Sequence, residues 1–517
     1  MKKLKLVSLA IAMACATPSL AGGLLTNTNQ HVAFNRMMSR EASIGIDGVY
    51  YNPAGVVFMG EGKHLAINWQ LAYQTRSIEN DYPLFTNNVN NPTTPREFKG
   101  KAFAPVIPSF QYAYNKGRWS LQAGFALTGG GGKCTFDDGL GSFEKIVAET
   151  ALAACQLAGA VDQVAAQYRV PAVFTNNDKF GKEGKYSYNS YMHGRQYYYG
   201  LSLGAAYKFS DNFSAFAGVR GVYASTNYYG YVENIKVGAM PLYMVLDPTK
   251  ETAANIELSC DQSGVGFTPI IGVDFKTGKW NFAAKYEFKT RIRLKNKSVN
   301  QVPSIGNLPD NLRNAYIAGG VPEQAADAII GNPAIQGAMR QLKTQFDAKL
   351  EKAIGEYEDG KKIAGDIPAY LALGVGYSPV NAVRVNVGFH WFDDKHATSY
   401  NNRQEKLDRG TLEYNAGVEV DVNKKITLST GWQNTNYGLS DEYMDDKSFV
   451  VSSNSAAIGG VYHINKKMDL NVAYFHTFYQ HKKTSEKVQL TEQKSINYSS
   501  DYTRNNNVFA VGLDINF

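Results

Sequence analysis

The chain has 517 residues, of which 19% are charged and 12% are aromatic, and its formal net charge is +7. This charge, spread over 53 basic and 46 acidic residues, is too diffuse to predict a nucleic-acid partner. Mean hydropathy is −0.31, and beyond the first 21 residues no run of about 20 apolar residues predicts a transmembrane helix. The composition therefore predicts neither a nucleic-acid-binding protein nor a helical membrane protein.

Residues 1–21 have the organisation of a secretory signal peptide. Three lysines among the first five residues precede an apolar stretch, and Ser19-Leu20-Ala21 places small residues at the two positions that determine cleavage. Cys15 would suit a lipoprotein, but residues 12–14 make a poor recognition sequence for that modification. We therefore expect cleavage after Ala21 and export from the cytoplasm.

Three cysteines would remain after that cleavage: Cys134, Cys155 and Cys260. An odd number in an oxidising compartment predicts at most one disulfide, with Cys134 and Cys155 as the local pair. Unpaired cysteines in solvent-exposed loops are an equal alternative. No spacing of cysteine or histidine is typical of a metal site, and no cofactor is predicted.

Fourteen segments of the remaining chain alternate apolar and polar side chains. In the last of them, Phe509, Val511, Leu513 and Ile515 alternate with small or polar residues. Tight turns rich in Asn, Gly, Asp and Pro alternate with long polar connections, and the 33 Tyr and 26 Phe would suit interfacial girdles. The predicted strands lie near 64–78, 104–115, 118–129, 186–209, 212–231, 263–276, 279–294, 366–379, 382–397, 409–422, 425–438, 447–463, 467–481 and 504–517.

This pattern predicts an all-β fold, a 14-stranded antiparallel transmembrane β-barrel over residues 61–517, in the outer membrane of a Gram-negative bacterium. An even number of strands closes such a sheet and leaves no edge unpaired in lipid. Two long connections, about 140–170 and 305–360, carry apolar residues at helical spacing and predict helical outer loops. Their apolar faces would line a vestibule for hydrophobic ligands or pack on each other as a lid.

Residues 22–60 lack strand alternation and contain Tyr50-Tyr51-Asn52-Pro53-Ala54-Gly55, whose last four residues predict a rigid turn. Between a signal peptide and a barrel, this motif closely resembles the N-terminal hatch, or plug, of FadL-type outer-membrane transporters, which carry long-chain fatty acids and other hydrophobic compounds. The stretch Gly129 to Glu144 is similar to the loop after the third strand in many members. The resemblance implies a hatch at residues 22–60, with Asn52, Pro53, Ala54 and Gly55 in its turn.

The resemblance also implies a wall opening and a ligand pocket. The family's third strand is kinked to open the wall, and here Gly124 and the run from Gly129 are the candidates, although the run would also suit a flexible loop start. Leu24 or Leu25 would supply the apolar tip of the hatch. Fatty-acid-binding members have a basic residue at the position of Ser225, so this chain departs from the family there. A second basic position of the family falls near Arg409. Arg220 would replace the basic residue missing at position 225, unless Arg220 and Arg409 both form structural ion pairs.

The function expected from this resemblance is passive uptake of long-chain fatty acids or other hydrophobic small molecules, with lateral release and no enzymatic activity. The expected partners are that ligand, membrane lipid and lipopolysaccharide, and the barrel-assembly machinery, which would read the terminal Phe517. No nucleic acid is expected, and the protein is expected to be monomeric. The alternative is a hemin receptor of the same fold, with His31 and His390 as candidate ligands.

Overall fold

The computed structural model describes residues 30–172, 184–318, 320–340, 343–344, 355–491 and 494–517. Within these ranges, 18 strand segments form one antiparallel sheet. They are β1 Gly62–Asp81, β2 Arg96–Lys116, β3 Trp119–Phe136, β4 Tyr186–Lys208, β5 Phe213–Val237, β6 Met240–Pro241, β7 Ile256–Thr277, β8 Trp280–Glu287, β9 Arg293–Gln301, β10 Lys362–Ala364, β11 Tyr370–Val380, β12 Val383–Phe392, β13 Arg409–Asn423, β14 Ile426–Gly438, β15 Ser453–Asn465, β16 Met468–Tyr479, β17 Lys482–Thr491 and β18 Lys494–Asn516.

The sheet is a closed barrel of fourteen strands, as predicted. It closes because β1 pairs with β2 on one side and with β18 on the other, from His64–Asn516 to Asp81–Ser499. Three barrel strands are each split into two segments, β8 with β9, β10 with β11, and β16 with β17, while β6 is a short addition to β5. Several strands are longer than predicted at the end nearer the long loops. The apolar outer face, from which the strands were predicted, stops before these strand ends.

The barrel wall is apolar outside and polar inside. In β18, Phe509 and Val511 are 53% and 38% exposed, whereas Val508 and Ala510, which alternate with them, are buried. In β1, the inward-facing residues include the buried amides Asn68 and Gln70. An apolar outer face around a polar interior is the arrangement that a lipid bilayer requires of a barrel.

The helices lie before the barrel and in the long loops. They are α1 Val32–Met37, α2 Gly141–Gln167, α3 Tyr243–Leu246, α4 Leu308–Ala318 and α5 Glu323–Ile330, with residues 333–340 also helical, and 3₁₀-helices Ile46–Val49, Gly55–Phe58, Pro83–Asn87, Asp394–His396 and Tyr400–Lys406. Among the described residues, none of these helices has both the length and the apolar character needed to cross a membrane.

The loop helices lie where the sequence predicts them and pack on one another. Val161 and Val164 of α2 form one buried cluster with Leu312 of α4 and Ile329 of α5. Tyr316 donates a hydrogen bond of 3.1 Å to Asp162 inside this cluster. These apolar faces therefore cover each other, which is the lid alternative.

Cys134, Cys155 and Cys260 are all free thiols. Cys134 lies in β3 and Cys155 in α2, and Cys134 and Cys260 are buried. The local disulfide is therefore not formed, and two of the three cysteines are strand residues rather than loop residues.

Candidate functional site

Residues 30–60, here called the inner segment, lie inside the barrel. Almost every residue from 30 to 57 is buried. The segment cannot form a long helix, because α1 ends at Met38 in the left-handed conformation (φ 62°) and Pro53 and several glycines follow. Its short helical turns leave many backbone groups without intrahelical partners, and polar side chains of the wall bind them. Thus Val32 N donates to Asn68 Oδ1 (3.1 Å), and Tyr50 O accepts from Lys285 Nζ (2.6 Å).

The turn Asn52-Pro53-Ala54-Gly55 is bound by three different strands. Asn52 Oδ1 accepts from Gly55 N (3.1 Å), which closes the turn predicted from the sequence. Asn52 Nδ2 donates to Asp274 of β7 at 2.6 Å. The carbonyl oxygens of Pro53 and Ala54 accept from Gln122 of β3 and Ser214 of β5, each at 2.7 Å. The motif therefore fixes the inner segment against one side of the barrel.

Inward-facing glycines make room for the inner segment on the opposite side of the barrel. A Cβ atom at Gly431 would lie 1.6 Å from the carbonyl oxygen of Met37, and one at Gly417 would lie 2.3 Å from the same oxygen. A Cβ at Gly459 would lie 2.6 Å from the Arg36 Cβ. The backbone of the segment can approach these strands only where the wall lacks a side chain. This role of the glycines was not predicted from the sequence, although their inward phase in β13, β14 and β15 indicates it.

The first buried charge cluster joins the inner segment to β13. Arg36 and Arg40 both contact Glu419, with Arg40 Nη1 at 3.3 Å from its Oε2, and Arg36 also donates to Asn471. Arg40 makes a two-point contact with Asp47, at 2.7 and 3.1 Å. Burial by itself would raise the pKa of Asp47, but the Arg40 guanidinium outweighs it and holds that pKa below its usual range. Arg384 also lies 3.3 Å from Glu419 and contacts Asp421, so three cations and three carboxylates neutralise one another.

The second cluster places His390 of β12 between two carboxylates. His390 Nε2 lies 2.7 Å from Glu41 of the inner segment, and Nδ1 lies 2.9 Å from Glu413 of β13. Ionised carboxylates only accept hydrogen bonds, so this geometry requires both ring nitrogens to donate, as in the imidazolium form. Burial raises the pKa of Glu41, but contact with His390 more than offsets this, and the net shift is downward.

The third cluster contains Arg220, which the sequence analysis considered as a ligand-binding residue. Arg220 faces the lumen as predicted, but it makes a two-point contact with Glu287, at 2.5 and 3.0 Å. Lys285 lies 2.9 Å from the same carboxylate, and Arg220 packs over the ring of Tyr50. Arg220 is thus engaged in a structural ion pair, which was the alternative interpretation.

The pairing between β2 and β3 is interrupted near the middle of the barrel. The two strands pair from Lys116–Trp119 to Ser109–Ala126, and again from Ala102–Cys134 to Gly100–Phe136. Residues 103–108 and 127–133 lie between these ladders and do not pair with each other. Both strands remain paired on their other sides, to β1 and β4. We call this break in the wall the β2–β3 interruption.

The local sequence explains the interruption. Pro105 and Pro108 of β2 lack the N–H group that a ladder requires. Opposite them, Gly130 and Gly132 have φ angles of 80° and 130°, a region that favours glycine. The glycines were predicted at a wall opening from the sequence, whereas the prolines, the stronger signal for broken pairing, were not.

Of the two glycines predicted at a wall opening, only Gly129 lies in the interruption. Gly124 pairs with Gln111 of β2 and Ser202 of β4, so it belongs to the continuous wall. The run from Gly129 lies inside β3, and the alternative of a flexible loop start is wrong.

The inner segment reaches the interruption through Gln30. Its side-chain nitrogen donates to the carbonyl oxygen of Leu127 at 2.8 Å, and its own carbonyl oxygen accepts from Gln111 at 2.9 Å. A narrow cavity at this point is lined by Gln30, Thr128 and Arg220, among others. The inner segment and the break in the wall therefore form one continuous site.

Two predicted pocket residues do not face the lumen. Ser225 shares the outward phase of β5 with Tyr223, which is 49% exposed, whereas Thr226 is buried inside. For Arg409, the register shifts between Arg409 and Leu412, and Arg409 Nη2 donates to the exposed Asn436 at 2.6 Å. The lumen-facing position predicted for Arg409 is wrong, because an irregularity in the ladder moves side chains to the other face.

The remaining predicted residues are the apolar tip and the haem ligands. Leu24 and Leu25 lie outside the described residues. His31 begins α1, where its Nδ1 accepts from Ala33 N at 3.0 Å and its Nε2 lies 3.2 Å from Asp514. His390 is hydrogen-bonded through both ring nitrogens, whereas His31 Nε2, despite its distance to Asp514, is buried and has no hydrogen-bond partner among the described residues.

No protein-family model matches the sequence, and a search of curated proteins finds no match either. Among solved structures, the chain is similar to a Pseudomonas aeruginosa FadL homologue, with a TM-score of 0.58 and 14% identity over 96% of this chain and 100% of that chain. It is also similar to the TodX deltaS2S3 mutant monoaromatic hydrocarbon channel, with a TM-score of 0.51 and 14% identity over 94% and 98% of the two chains. At such identities the likeness establishes the fold.

Proposed function

We propose that this chain, whose fold is that of the FadL-type barrels, is an outer-membrane channel for passive uptake of hydrophobic small molecules such as long-chain fatty acids. The observation that carries the proposal is the β2–β3 interruption, with the inner segment bound at its edge through Gln30. The inner segment is the hatch, which closes the axial path. The interruption is the exit through which the ligand leaves sideways into the bilayer.

The physical argument concerns water. A long apolar molecule gains nothing from a water-filled pore, because every exposed methylene keeps its unfavourable hydration. A filled barrel with a side opening lets the molecule pass from an apolar pocket directly into lipid. The hatch side chains that bind the wall, such as Asn52 and Arg40, hold the axial path closed without blocking this route.

The cellular setting follows from the same proposal. Residues 1–21 would direct export, and the terminal Phe517 would be read by the barrel-assembly machinery. Phe517 is 65% exposed, and its backbone nitrogen donates to Lys63 O at 2.9 Å, so its side chain is accessible at the end of the wall. The short turns then face the periplasm, and the loops that contain α2, α4 and α5 face outward. The structural neighbours are described as channels and transporters rather than enzymes, and we propose no enzymatic activity.

The test is to block the interruption with Ala104→Trp. Ala104 faces the lumen there, is 7% exposed, and lies 3.4 Å from the position of a Cβ at Gly132. An indole at this point would fill the break. We expect uptake of a labelled long-chain fatty acid, and of toluene, to fall to the rate of cells without the protein.

The control is Leu121→Trp, because Leu121 is 54% exposed on the lipid-facing side of β3 and pairs with Tyr114 of β2, outside the interruption. It should transport at the wild-type rate. Wild-type transport by the Ala104→Trp protein would contradict lateral release through this break. Failure of the wild-type protein to raise uptake of either compound would contradict the proposed function itself.

A further inference from the structure

The barrel strand made of β8 and β9 has an outer face that is apolar at one end and basic at the other. Toward the short turns, the exposed side chains on this face are Trp280, Phe282 and Phe288. Toward the long loops, from residue 291 to residue 297, the exposed side chains are all cationic: Arg291, Arg293, Lys295 and Lys297. The residues between these cations, Ile292, Leu294 and Asn296, are buried inside the barrel, so the cations lie on the outer wall.

The next strand adds a fifth cation to this surface. Lys362 of β10 is exposed and is the direct ladder partner of Lys295. Like charges at directly opposed positions destabilise a sheet, so this pair costs free energy unless an anion lies beside it. We call Arg291, Arg293, Lys295, Lys297 and Lys362 the outer basic patch.

The carboxylates of the chain compensate only two members of the outer basic patch. Arg293 Nη1 lies 2.8 Å from the buried Asp366. Asp261 of β7 is the ladder partner of Lys297. Within the described ranges of the chain, Arg291, Lys295 and Lys362 have no carboxylate oxygen within 4.0 Å of their side-chain nitrogens.

Two further carboxylates lie beyond the patch, toward the long loops, and both have other partners. Glu358 lies 3.5 Å from Lys361, and Asp359 accepts a hydrogen bond from Ser298 N at 2.8 Å. Even with these carboxylates counted, cations remain in excess. The patch can therefore bind an anion.

The outer basic patch begins where the apolar belt of the wall ends. Lys295 pairs with Ser263 of β7. Two residues nearer the short turns, Val265 is exposed and pairs with Tyr223, whose ring stacks on that of Tyr199 with 6.4 Å between the centroids. Outward-facing aromatic rings mark the boundary between the apolar band and the headgroups in membrane barrels. The patch therefore lies at the level of the lipid headgroups, on the side of the long loops.

This position favours a lipid over a soluble anion. A phosphorylated lipid can place its phosphates against the cations while its acyl chains lie on the apolar belt, where Phe267 and Phe288 are exposed. Guanidinium groups bind phosphate oxygens in two-point geometry, and each Lys or Arg near an anionic membrane surface adds to the attraction. In the proposed orientation the long loops face outward, so the lipid at this level is lipopolysaccharide.

We propose that the outer basic patch is a binding site for the phosphate groups of lipopolysaccharide in the outer leaflet. The inference rests on the membrane orientation given with the proposed function, but it is independent of the cargo and of the barrel lumen. The bound lipid compensates Arg291, Lys295 and Lys362, which the chain itself leaves without carboxylate partners.

The test measures, by native mass spectrometry, the binding of diphosphoryl lipid A and of its dephosphorylated form to the purified protein in detergent micelles. The wild-type protein should prefer the diphosphoryl form by about ten- to a hundredfold, and R291Q/K295Q/K362Q should lose most of this preference. Arg293 and Lys297 are kept, because their removal would leave Asp366 and Asp261 without their cations.

The matched control removes one arginine and two lysines at the opposite end of the barrel. Lys116, Arg118 and Lys424 are exposed in or beside short turns, so K116Q/R118Q/K424Q should keep the wild-type preference. Gel mobility that shifts on heating identifies the variants that are folded barrels. An equal loss of preference in this control would show a non-specific effect of net charge and overturn the inference.

Two further results would also overturn it. One is equal binding of the two lipid A forms by the wild-type protein. The other is binding of phosphatidylglycerol as tight as that of diphosphoryl lipid A, which would assign the patch to ordinary anionic phospholipid. The uptake assay separates this inference from the proposed function. Normal uptake without lipid A preference refutes the patch alone, and lipid A preference without uptake refutes the channel alone.

Discussion

Buried cations have different kinds of partner in two regions of the barrel interior. Around the inner segment, Arg36, Arg40 and Arg220 each contact a carboxylate within 3.3 Å. In the half nearer the long loops, Arg76 and Arg504 contact only amide and carbonyl oxygens and an aromatic ring among the residues that the structure describes. Both regions belong to one continuous wall and both face the lumen. The difference lies in what each guanidinium has as a partner.

This difference separates charges that the folded chain compensates with carboxylates from charges that it leaves uncompensated. A cation with a carboxylate partner stabilises the fold through that ion pair. Removing one member of the pair leaves the other buried and unpaired. An uncompensated cation takes part in no such ion pair, so its removal should cost little stability. The following three predictions would break or sharpen this distinction, beginning with the largest expected effect.

Glu419→Gln should release the inner segment. It leaves Arg36 with a neutral partner and Arg40 with Asp47 as its remaining carboxylate, and loss of one member of a buried ion pair costs about 3–5 kcal/mol. Hydrogen exchange of residues 30–60 should accelerate, while the barrel keeps its heat-modifiable mobility. Asp421→Asn, at the partly exposed end of the same strand, is the control and should change exchange little, because Arg384 keeps its contact with Glu419. Unchanged exchange in Glu419→Gln would contradict the structural role of the cluster.

Acid should also loosen the inner segment. The pKa values of Glu41 and Asp47 lie below their ordinary values of 4.5 and 3.8, so their ionised forms stabilise the folded state. That stabilisation is fully present above the ordinary values and is lost as the pH falls through the lower pKa values of the folded protein. After correction for the intrinsic effect of pH on amide exchange, exchange of residues 30–60 should therefore be constant from neutral pH down to about pH 5 and rise at lower pH. In Asp47→Asn this rise should be smaller, and an identical profile would exclude Asp47 as a cause.

Arg504→Gln should leave stability unchanged or increase it by up to about 1 kcal/mol, because it removes one of two like charges in direct cross-strand contact. Arg40→Gln, which removes a compensated cation, should instead destabilise the protein. Denaturant unfolding in lipid measures both. A large loss of stability in Arg504→Gln would mean that its contacts with Gln74 and Tyr479 are structural, and the contrast between the two regions would not hold.

Much of the fold could be predicted from the sequence, because every strand of a barrel in lipid alternates apolar outward-facing side chains with inward-facing ones. Alternation such as that of Phe509 and Val511 with Val508 and Ala510 revealed fourteen strands in the correct order. The turn at Asn52 was also predictable, since Asn-Pro-Ala-Gly closes locally through the bond from Gly55 N to Asn52 Oδ1. These features depend on neighbours in the chain.

The site residues were less accessible, because they depend on register. A single irregularity near Arg409 moved a side chain predicted inside to the outside, and the outward phase of Ser225 became visible only in the observed pairing. Pro105 and Pro108 indicate a loss of pairing in β2, but the sequence does not show which residues of β3 lie opposite them.

The sequence by itself determined the class of fold, the strand order and the local turn, because each follows from periodicity and from short-range hydrogen bonding. Only the tertiary structure decided which charges are compensated. Arg36 meets Glu419 across 383 residues of chain, whereas Arg76 meets Arg504 at the closure of the barrel. Electrostatic interactions depend on distance in space, which sequence separation does not give, so it became visible only in the closed barrel which arginines have a carboxylate partner.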